Sequence, residues 1–354
     1  MDKIKLIMDR WNALQPLSQR DQEMLWRRFT IDFNYNNNHM EGNTLTYGQT
    51  EVLLLFGKVI GEAKVSDVQE MTASNVCLRM VTEASAAENA PMTQNFIRTL
   101  HKTLLREDYT IYRNLPGGQT TSYVIHAGRY KTRPNSVITR YGDRFEYASP
   151  EETPALMTDL VDGYNKAELS GKYSPIELAA LFHYRFIRVH PFEDGNGRMA
   201  RLMTNYILSR HGYPMIVVRS RKKDEYLEAL HKTDLTVGST PSLGAQASKR
   251  AIQPFLTYFT RLFVDEVTFS IRFLTERGDR VWWFDGQRIL FRADTTSRIL
   301  NLMRISPDIT IQSLSTQVGI NVAAVNKQIK QLVNKGYIQR TQKGDWRLTI
   351  TPSI

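Results

Sequence analysis

The chain has 354 residues, 42% of them hydrophobic, enough to bury the cores of two or three domains. Its single cysteine, Cys77, excludes an intrachain disulfide, and no apolar stretch reaches the length of a membrane-spanning helix. The formal charge of +10 is uneven: from Asp285 to Ile354, ten Lys and Arg less four Asp leave +6, which favours an anionic partner, nucleic acid first.

The N-terminal residues Met1 to Arg10 carry charges throughout and lack a signal-peptide core, so a soluble, cytoplasmic protein is expected. Helical apolar spacing runs over residues 2–29 through Ile4, Ile7, Met8, Trp11, Leu14, Leu25, Trp26 and Phe29, broken at Gln15-Pro16. A polar stretch follows from Asn34 to Thr46, and Thr46 caps a helix reaching about Phe56. Helical patterns recur over 67–88, with Cys77 as a small buried apolar residue, and over 94–106. From Thr120 to Tyr147 the residues turn to Tyr, Val, Ile, Thr and Phe, punctuated by Gly128, Pro134 and Gly142, which predicts one or two β-hairpins. Helices resume over 153–170, 175–189 and 198–211, the last stopped by Gly212-Tyr213-Pro214. Two more span about 224–233 and 247–276, with a loop rich in Gly, Ser and Thr from Thr236 to Gly244. The final 70 residues read as a separate domain, with helices over 296–304, 311–317 and 321–334, the last capped by Asn321. Strands over 336–340 and 345–350 flank a turn at Lys343-Gly344. Helix, helix-turn-helix and hairpin in that order resemble a winged helix.

One stretch concentrates chemistry: His190-Pro-Phe-Glu-Asp-Gly-Asn-Gly-Arg-Met-Ala-Arg201, lying between two apolar helical runs. Gly195-Asn196-Gly197 lets several backbone N–H groups converge at the start of the second helix, and helix-start amides attract an anion, phosphate above all. Arg198 and Arg201 are three apart, so they share a helix face and reach the same anion. Asp194 is a hard oxygen ligand suited to a magnesium ion that also binds phosphates. His190 is the group in the stretch that exchanges a proton near neutral pH. Together these residues describe a phosphoryl or nucleotidyl transfer site.

At these positions the chain resembles the Fic family of nucleotidyl transferases, whose signature HxFx[D/E]GNGRxxR it matches throughout. The resemblance covers roughly residues 35–260. It implies a helical Fic core with a β-hairpin flap, and with the C-terminal pattern the expectation is a mainly α chain: an N-terminal helical region over 1–90, the Fic domain over 91–276 and the winged-helix domain over 285–354. The implied reaction transfers AMP from ATP, with Mg2+, to a Ser, Thr or Tyr hydroxyl of a protein. In it His190 is the base and Asp194 the metal ligand. Gly195, Asn196, Gly197 and Arg198 cradle the phosphates, and Arg201 anchors the γ-phosphate. Many members carry an inhibitory helix with the pattern [S/T]xxxE[G/N], whose glutamate pairs with the second arginine of the signature. Here that pair would be Glu41 and Arg201, with Asn37 standing where the pattern has Ser or Thr. Residues 123–140, with Val137 and Ile138 among the nucleotide-facing positions, match the flap, which adds a target segment as a strand. Tyr226 falls where members place an aromatic near the adenine, and Asp234 where a polar group meets the nucleotide. Without the resemblance, Glu41-Gly42-Asn43 reads as an ordinary turn and Tyr226 as a buried helix aromatic.

Three activities fit this reading. One is an AMP transferase restrained by Glu41. The second is a hydrolase that removes AMP at the same site. The third is a DNA-binding regulator in which the Fic domain serves as sensor. Expected partners are a hydroxyl-bearing target protein, the chain itself included, and DNA through residues 285–354, with no membrane. Self-association, the target and the preferred nucleotide stay open.

Overall fold

The structure is a computed structural model, and it describes residues 3–87, 90–114, 120–138, 144–276, 278–341 and 344–352; of residues 113, 114, 137, 138 and 144 the backbone alone is described. In chain order the helices begin with α1 (Lys3–Asn12), α2 (Gln19–His39), α3 (Tyr47–Phe56), α4 (Val65–Ser85) and α5 (Gln94–Leu105). Two hairpins follow, β1 (Tyr109–Asn114) with β2 (Thr120–Ile125) and β3 (Ser136–Ile138) with β4 (Arg144–Glu146). Then come α6 (Thr153–Ser170), α7 (Pro175–Val189), α8 (Asn196–Arg210), α9 (Lys223–Val237), α10 (Pro241–Ala245) and α11 (Gln253–Thr275). The chain ends with β5 (Val281–Phe284), β6 (Gln287–Leu290), α12 (Asp294–Ile305), α13 (Ile311–Val318), α14 (Val322–Asn334), β7 (Ile338–Arg340), β8 (Trp346–Leu348) and β9 (Thr351–Pro352). Among the described residues no helix is long and apolar enough to cross a membrane.

The chain packs as two compact units. One comprises Asn36–Asn43 and Gln69–Val264; the other comprises Met1–Tyr35, Thr44–Val68 and Asp265–Ile354. In the first, α7 is buried over most of its circumference, from Ile176 through Phe186 to Val189, and packs along α8. Ser174 starts α7 with a reciprocal capping box to Glu177, and Pro175 occupies its first turn, where a missing N–H costs nothing. The second hairpin keeps a short register, Ser136 against Glu146. Its approach, residues 126–135, lies along the loop that joins α7 to α8: Lys131 N donates to Pro191 O at 2.8 Å and Asn135 Nδ2 to Phe192 O at 3.1 Å.

The second unit contains the winged-helix elements. Trp282, Ile299, Leu300, Met303, Leu314, Val325, Ile338 and Trp346 form its main core. Asn321 caps α14 by accepting from Ala324 N, as its residue type predicts. The β5 strand pairs with both β6 and β9.

Several boundaries differ from the sequence reading. The α2 helix continues ten residues past Phe29, through the asparagine run to His39, because those side chains find buried partners. The first strand starts at Tyr109, since its register runs Tyr109↔Ile125. Residues 241–245 form a short helix inside the expected loop, opened by Pro241. Strands β5, β6 and β9 were not read from the sequence: two are four residues long and one is two, too short for a visible alternation. The expected punctuation at Gly142, and residues 139–140 of the flap match, lie outside the described residues.

Candidate active site

The loop between α7 and α8 is shaped by its own side chains. Asn196 accepts from Phe192 N at 2.9 Å and donates to Phe192 O at 2.7 Å, closing the loop on itself. Gly195 sits at φ 76° as the N-cap of α8, a left-handed conformation suited to glycine. At Gly197 a Cβ would lie 2.7 Å from Glu41 Oε1 and 3.2 Å from Arg201 Nη1, so a larger residue would displace the ends of those two side chains. The amides at the start of this fifteen-residue helix therefore open onto a common point with the helix dipole behind them.

His190 closes α7 in the left-handed region, φ 50° and ψ 59°, immediately before a proline. A non-glycine residue held there costs about 1–3 kcal/mol, so the surroundings must over-determine it. They include the ring of Tyr147, stacked on the imidazole at 3.8 Å and 13°. They also include the backbone bond from Lys131 to Pro191 and the ammonium of Lys131 on Val189 O at 3.1 Å. Nδ1 lies 3.3 Å from the carbonyl of Ile187, which makes Nδ1 the protonated nitrogen and leaves the Nε2 lone pair to the cavity. Burial first, then the Lys131 cation, push the imidazole down to about 3, so it is neutral at physiological pH.

Asp194 is held in place from three sides. Tyr109 Oη donates to Oδ2 at 2.6 Å, Arg198 reaches the same oxygen at 3.3 Å, and His101 bonds its main-chain carbonyl at 3.0 Å. Gly128 N donates to Nδ1 of His101, so Nε2 carries the proton that Asp194 O accepts. The His101 ring also stacks on Phe192 at 3.6 Å and 4°. Burial raises the carboxyl of Asp194, but Arg198 and the hydrogen bonds from Tyr109 and Gly195 outweigh it and hold the group ionised. Among the described residues no cluster of three His, Cys, Asp or Glu could enclose a metal. A lone carboxylate at the mouth of an anion cradle instead fits a magnesium ion that arrives with phosphates, its usual mode of binding.

Arg201 is 4% exposed and fully engaged on one side. Its Nε donates to Asn37 Oδ1 at 2.6 Å, and Nη2 donates to Asn37 O at 3.1 Å and to Glu41 Oε1 at 2.5 Å. Burial would raise the Glu41 carboxyl, but Arg201, then Arg198 and Lys223, hold it below its usual value. Lys223 Nζ ties down the same turn through Met40 O at 2.6 Å.

Glu41, His190, Asp194, Gly195, Asn196, Gly197, Arg201, Tyr226 and Asp234 all line one cavity of about 480 Å³, a size usual for a small-molecule site. Arg198 sits behind it, buried against Asp194 and Glu70. Tyr226 is a buried helix aromatic, 4% exposed, and it lines the cavity. Thr204 donates to Ala200 O, so His183 Nδ1 donates to Thr204 and Nε2 accepts from Tyr226 Oη at 2.9 Å. Asp234 Oδ1 is occupied by Tyr184 at 2.8 Å and Arg188 at 3.0 Å. The side chains of Val137 and Ile138 lie outside the described residues. Cys77 is buried, its thiol pushed up to about 12 by burial and directed at Leu100 O, as a packing residue should be.

Sequence reasoning gave no role to Tyr109, His101, Tyr147 or Arg188, and it included Lys131 only within the flap match over 123–140. Arg188 is 1% exposed, bonds Gly238 O and Thr240 O at 2.9 Å, and stacks against Phe145 at 4.9 Å. Nothing in the local pattern marks these residues: Tyr109, His101, Lys131 and Tyr147 reach the site from other segments, and Arg188 lies in the apolar run of α7, where its burial depends on partners from Asp234 to Thr240.

Comparison with known proteins agrees with this geometry. The Fic/DOC family pattern matches residues 91–208, and a winged helix-turn-helix DNA-binding pattern matches residues 292–339. A crystallised Fic-domain-containing signaling protein of Bacteroides thetaiotaomicron is 47% identical, covering 78% of this chain and 98% of that one, with a TM-score of 0.72. Residues 134–508 of Fic-1 from Caenorhabditis elegans match at 25% identity and a TM-score of 0.59, over 76% of this chain and 71% of that one. In sequence, the protein adenylyltransferase fic-1 of the same nematode is 30% identical over 230 residues, 65% of this chain; the chain spans 41% of that relative's length.

Proposed function

The chain belongs to the Fic/DOC family, and from that premise we propose that it transfers AMP from ATP to a Ser, Thr or Tyr hydroxyl of a protein, restrained by Glu41. The observation that carries this reading is the state of Arg201, whose guanidinium is held by Glu41 and Asn37 at the edge of the phosphate cradle. An arginine so engaged cannot offer its fork to a terminal phosphate.

In the reaction, the target hydroxyl lies between Nε2 of His190 and the α-phosphorus. Its oxygen attacks phosphorus, the bond to the bridging oxygen breaks, pyrophosphate leaves, and the hydroxyl proton goes to Nε2. Burial and the Lys131 cation make His190 a weak base in the empty cavity; the negative charge that a triphosphate brings there raises its proton affinity. The amides of Gly195 to Gly197 face the charge that builds on the phosphates, and Arg198, paired with Asp194 behind the cavity, adds positive potential from there. Asp194 would hold magnesium, which when bound screens the α- and β-phosphates. Once free, Arg201 anchors the γ-phosphate. Tyr226, with Leu227, Leu230 and His231, offers the base an apolar wall ending at Asp234.

Incubation with labelled ATP and magnesium tests this, using wild type, Glu41→Gly and Glu41→Gly with His190→Ala, followed by intact mass. The expected result is an added AMP in Glu41→Gly, weak in wild type and missing from the double variant. If instead an AMP-modified substrate loses its label only when Glu41 is intact, the hydrolase is the activity and the transferase reading fails.

The winged helix supports a second partner, DNA. On α14, Asn326, Lys327, Lys330 and Gln331 are exposed on one side while Val325, Ile329 and Leu332 are buried on the other. Replacing Lys327 and Lys330 by Glu in the full chain should weaken duplex binding and flatten its salt dependence. A salt-independent or unchanged affinity would remove DNA as a partner.

A further inference from the structure

Lys131 sits in the connection between the two hairpins and is 3% exposed, an unusual place for an ammonium. Among the described residues its two hydrogen-bond partners are neutral: Asn135 Oδ1 at 2.8 Å and Val189 O at 3.1 Å. Val189 is the last residue of α7, so the cation caps the negative end of that helix dipole. Its own N–H bonds Pro191 O at 2.8 Å, and Asn135 reaches on to Phe192 O at 3.1 Å. The carbonyls of residues 189, 191 and 192 are thus all taken by Lys131 and its partner, and His190 is the residue they enclose.

We propose that Lys131 is a positioning residue for His190, its ammonium holding the end of α7 in the left-handed turn that presents Nε2 to the cavity. A neutral side chain of similar length would fill the same space, so packing does not account for the charge. What the charge adds is a fixed end to α7 and a cation that disfavours a proton on the base. The other groups that act on His190 are the Asp194 and Glu41 carboxylates, which favour a proton, the stacked Tyr147 ring and the Ile187 carbonyl. Lys131 is the cation that opposes the two carboxylates, and burial lowers its own ammonium to about 8, so it is charged at neutral pH. Because the same ten-residue connection leads into β3, the base is fixed by the segment that also carries the flap.

The inference rests on His190 being the base of the proposed transfer, and two readouts keep the two ideas apart. In the Glu41→Gly background, Lys131→Met should lower the self-labelling rate at saturating ATP by about 100-fold, the usual effect of a slightly misplaced reacting group, with the Kd for ATP changed by less than about threefold. Lys131→Arg, which keeps the charge, should retain most of the rate. Independently of activity, 15N spectra of the histidine rings, with His190 identified by its loss in His190→Ala, should show a single Nδ1–H tautomer in the parent. In Lys131→Met the tautomers should mix and the titration midpoint should rise. Should the Met variant not fold, Lys131→Gln gives the same neutral comparison. An unchanged rate, or a loss matched by weaker ATP binding, overturns the proposal, as does an unaltered His190 spectrum. If the Glu41→Gly parent binds ATP but transfers nothing, the transferase reading fails and the spectra alone decide on Lys131.

Discussion

The twelve residues from His190 to Arg201 and the eight from Asn36 to Asn43 are equally crowded with polar groups, but they use them in opposite ways. The first stretch ties its polar atoms to its own backbone or to close neighbours, as Asn196 does with Phe192 and Arg198 with Asp194. That leaves a few atoms for a ligand: Nε2 of His190, the amides at the start of α8 and one edge of Asp194. The second stretch turns its polar atoms toward distant segments: Asn36 accepts from Ser220, Asn37 from Arg201, and Glu41 from Arg201. Asn36, Asn37 and Asn38 are between 0% and 1% exposed, so a run that looks like surface loop is wholly interior. The loop between α7 and α8 is closed by its own side chains and keeps a remainder for a ligand, whereas the Asn36–Asn43 segment is anchored through Asn36, Asn37 and Glu41 to residues at least 160 positions away.

The sharpest break of this contrast is His190→Ala. In the Glu41→Gly background it should cost about 10²–10⁴-fold in AMP transfer, the range for losing a general base, while nucleotide binding persists. Breaking the other stretch acts in the opposite direction. Glu41→Gly removes one charged hydrogen bond, worth about 1.5–3 kcal/mol, so self-labelling should rise roughly 10–100-fold. Asn37→Ala leaves Glu41 in place but strips Nε of its partner, and a gain of roughly 2–10-fold is expected. Combined with Glu41→Gly, it should exceed either single change, because the two residues hold the same guanidinium. A double variant no more active than Glu41→Gly would mean that Asn37 adds nothing to the restraint.

The mildest test is pH. Burial lowers His101 to about 4 and His183 and His190 to about 3. In the unfolded chain each takes its proton near the ordinary value of about 6.5, so between there and the folded values the unfolded state binds more protons. Stability from the three neutral rings is therefore present above about pH 6.5 and is lost progressively as pH falls toward 3–4. Thermal unfolding should show Tm falling over that window, and His183→Gln should flatten the slope by at most about 1.4 kcal/mol per pH unit. A Tm that is flat from pH 7 to 5 would rule this account out. The Glu41 pair acts lower: its carboxyl is depressed, so the contact persists above the ordinary carboxylate value and yields only in stronger acid.

The fold was legible where the pattern is long and periodic. Helices 153–170 and 175–189 agree with α6 and α7 at both ends, and α14 begins where Asn321 said it should. Legibility failed where short strands carry too few residues for an alternation, as in β5, β6 and β9, and where polar residues are buried by partners far along the chain, as in the second half of α2. At the site, His190, Asp194, Gly195, Asn196, Gly197 and Arg201 could be named in advance because one loop and the first turns of α8 supply them, while Glu193, which also lines the cavity, was not singled out.

What the sequence determined by itself is the set of groups: an imidazole, a carboxylate, a glycine-rich turn at a helix start and two arginines at helix spacing, together with the basic domain that follows. Glycine spacing and side-chain type carry that information locally, and local geometry suffices to express it. What the tertiary structure alone decided is the state of those groups. It turned His190 into its Nδ1–H form, gave Asp194 the support of Tyr109 and His101, and put Asn37 beside Glu41 on Arg201. Those partners stand between 3 and 164 positions away. For the distant ones no pattern in a linear chain fixes the approach; the packing of helices does.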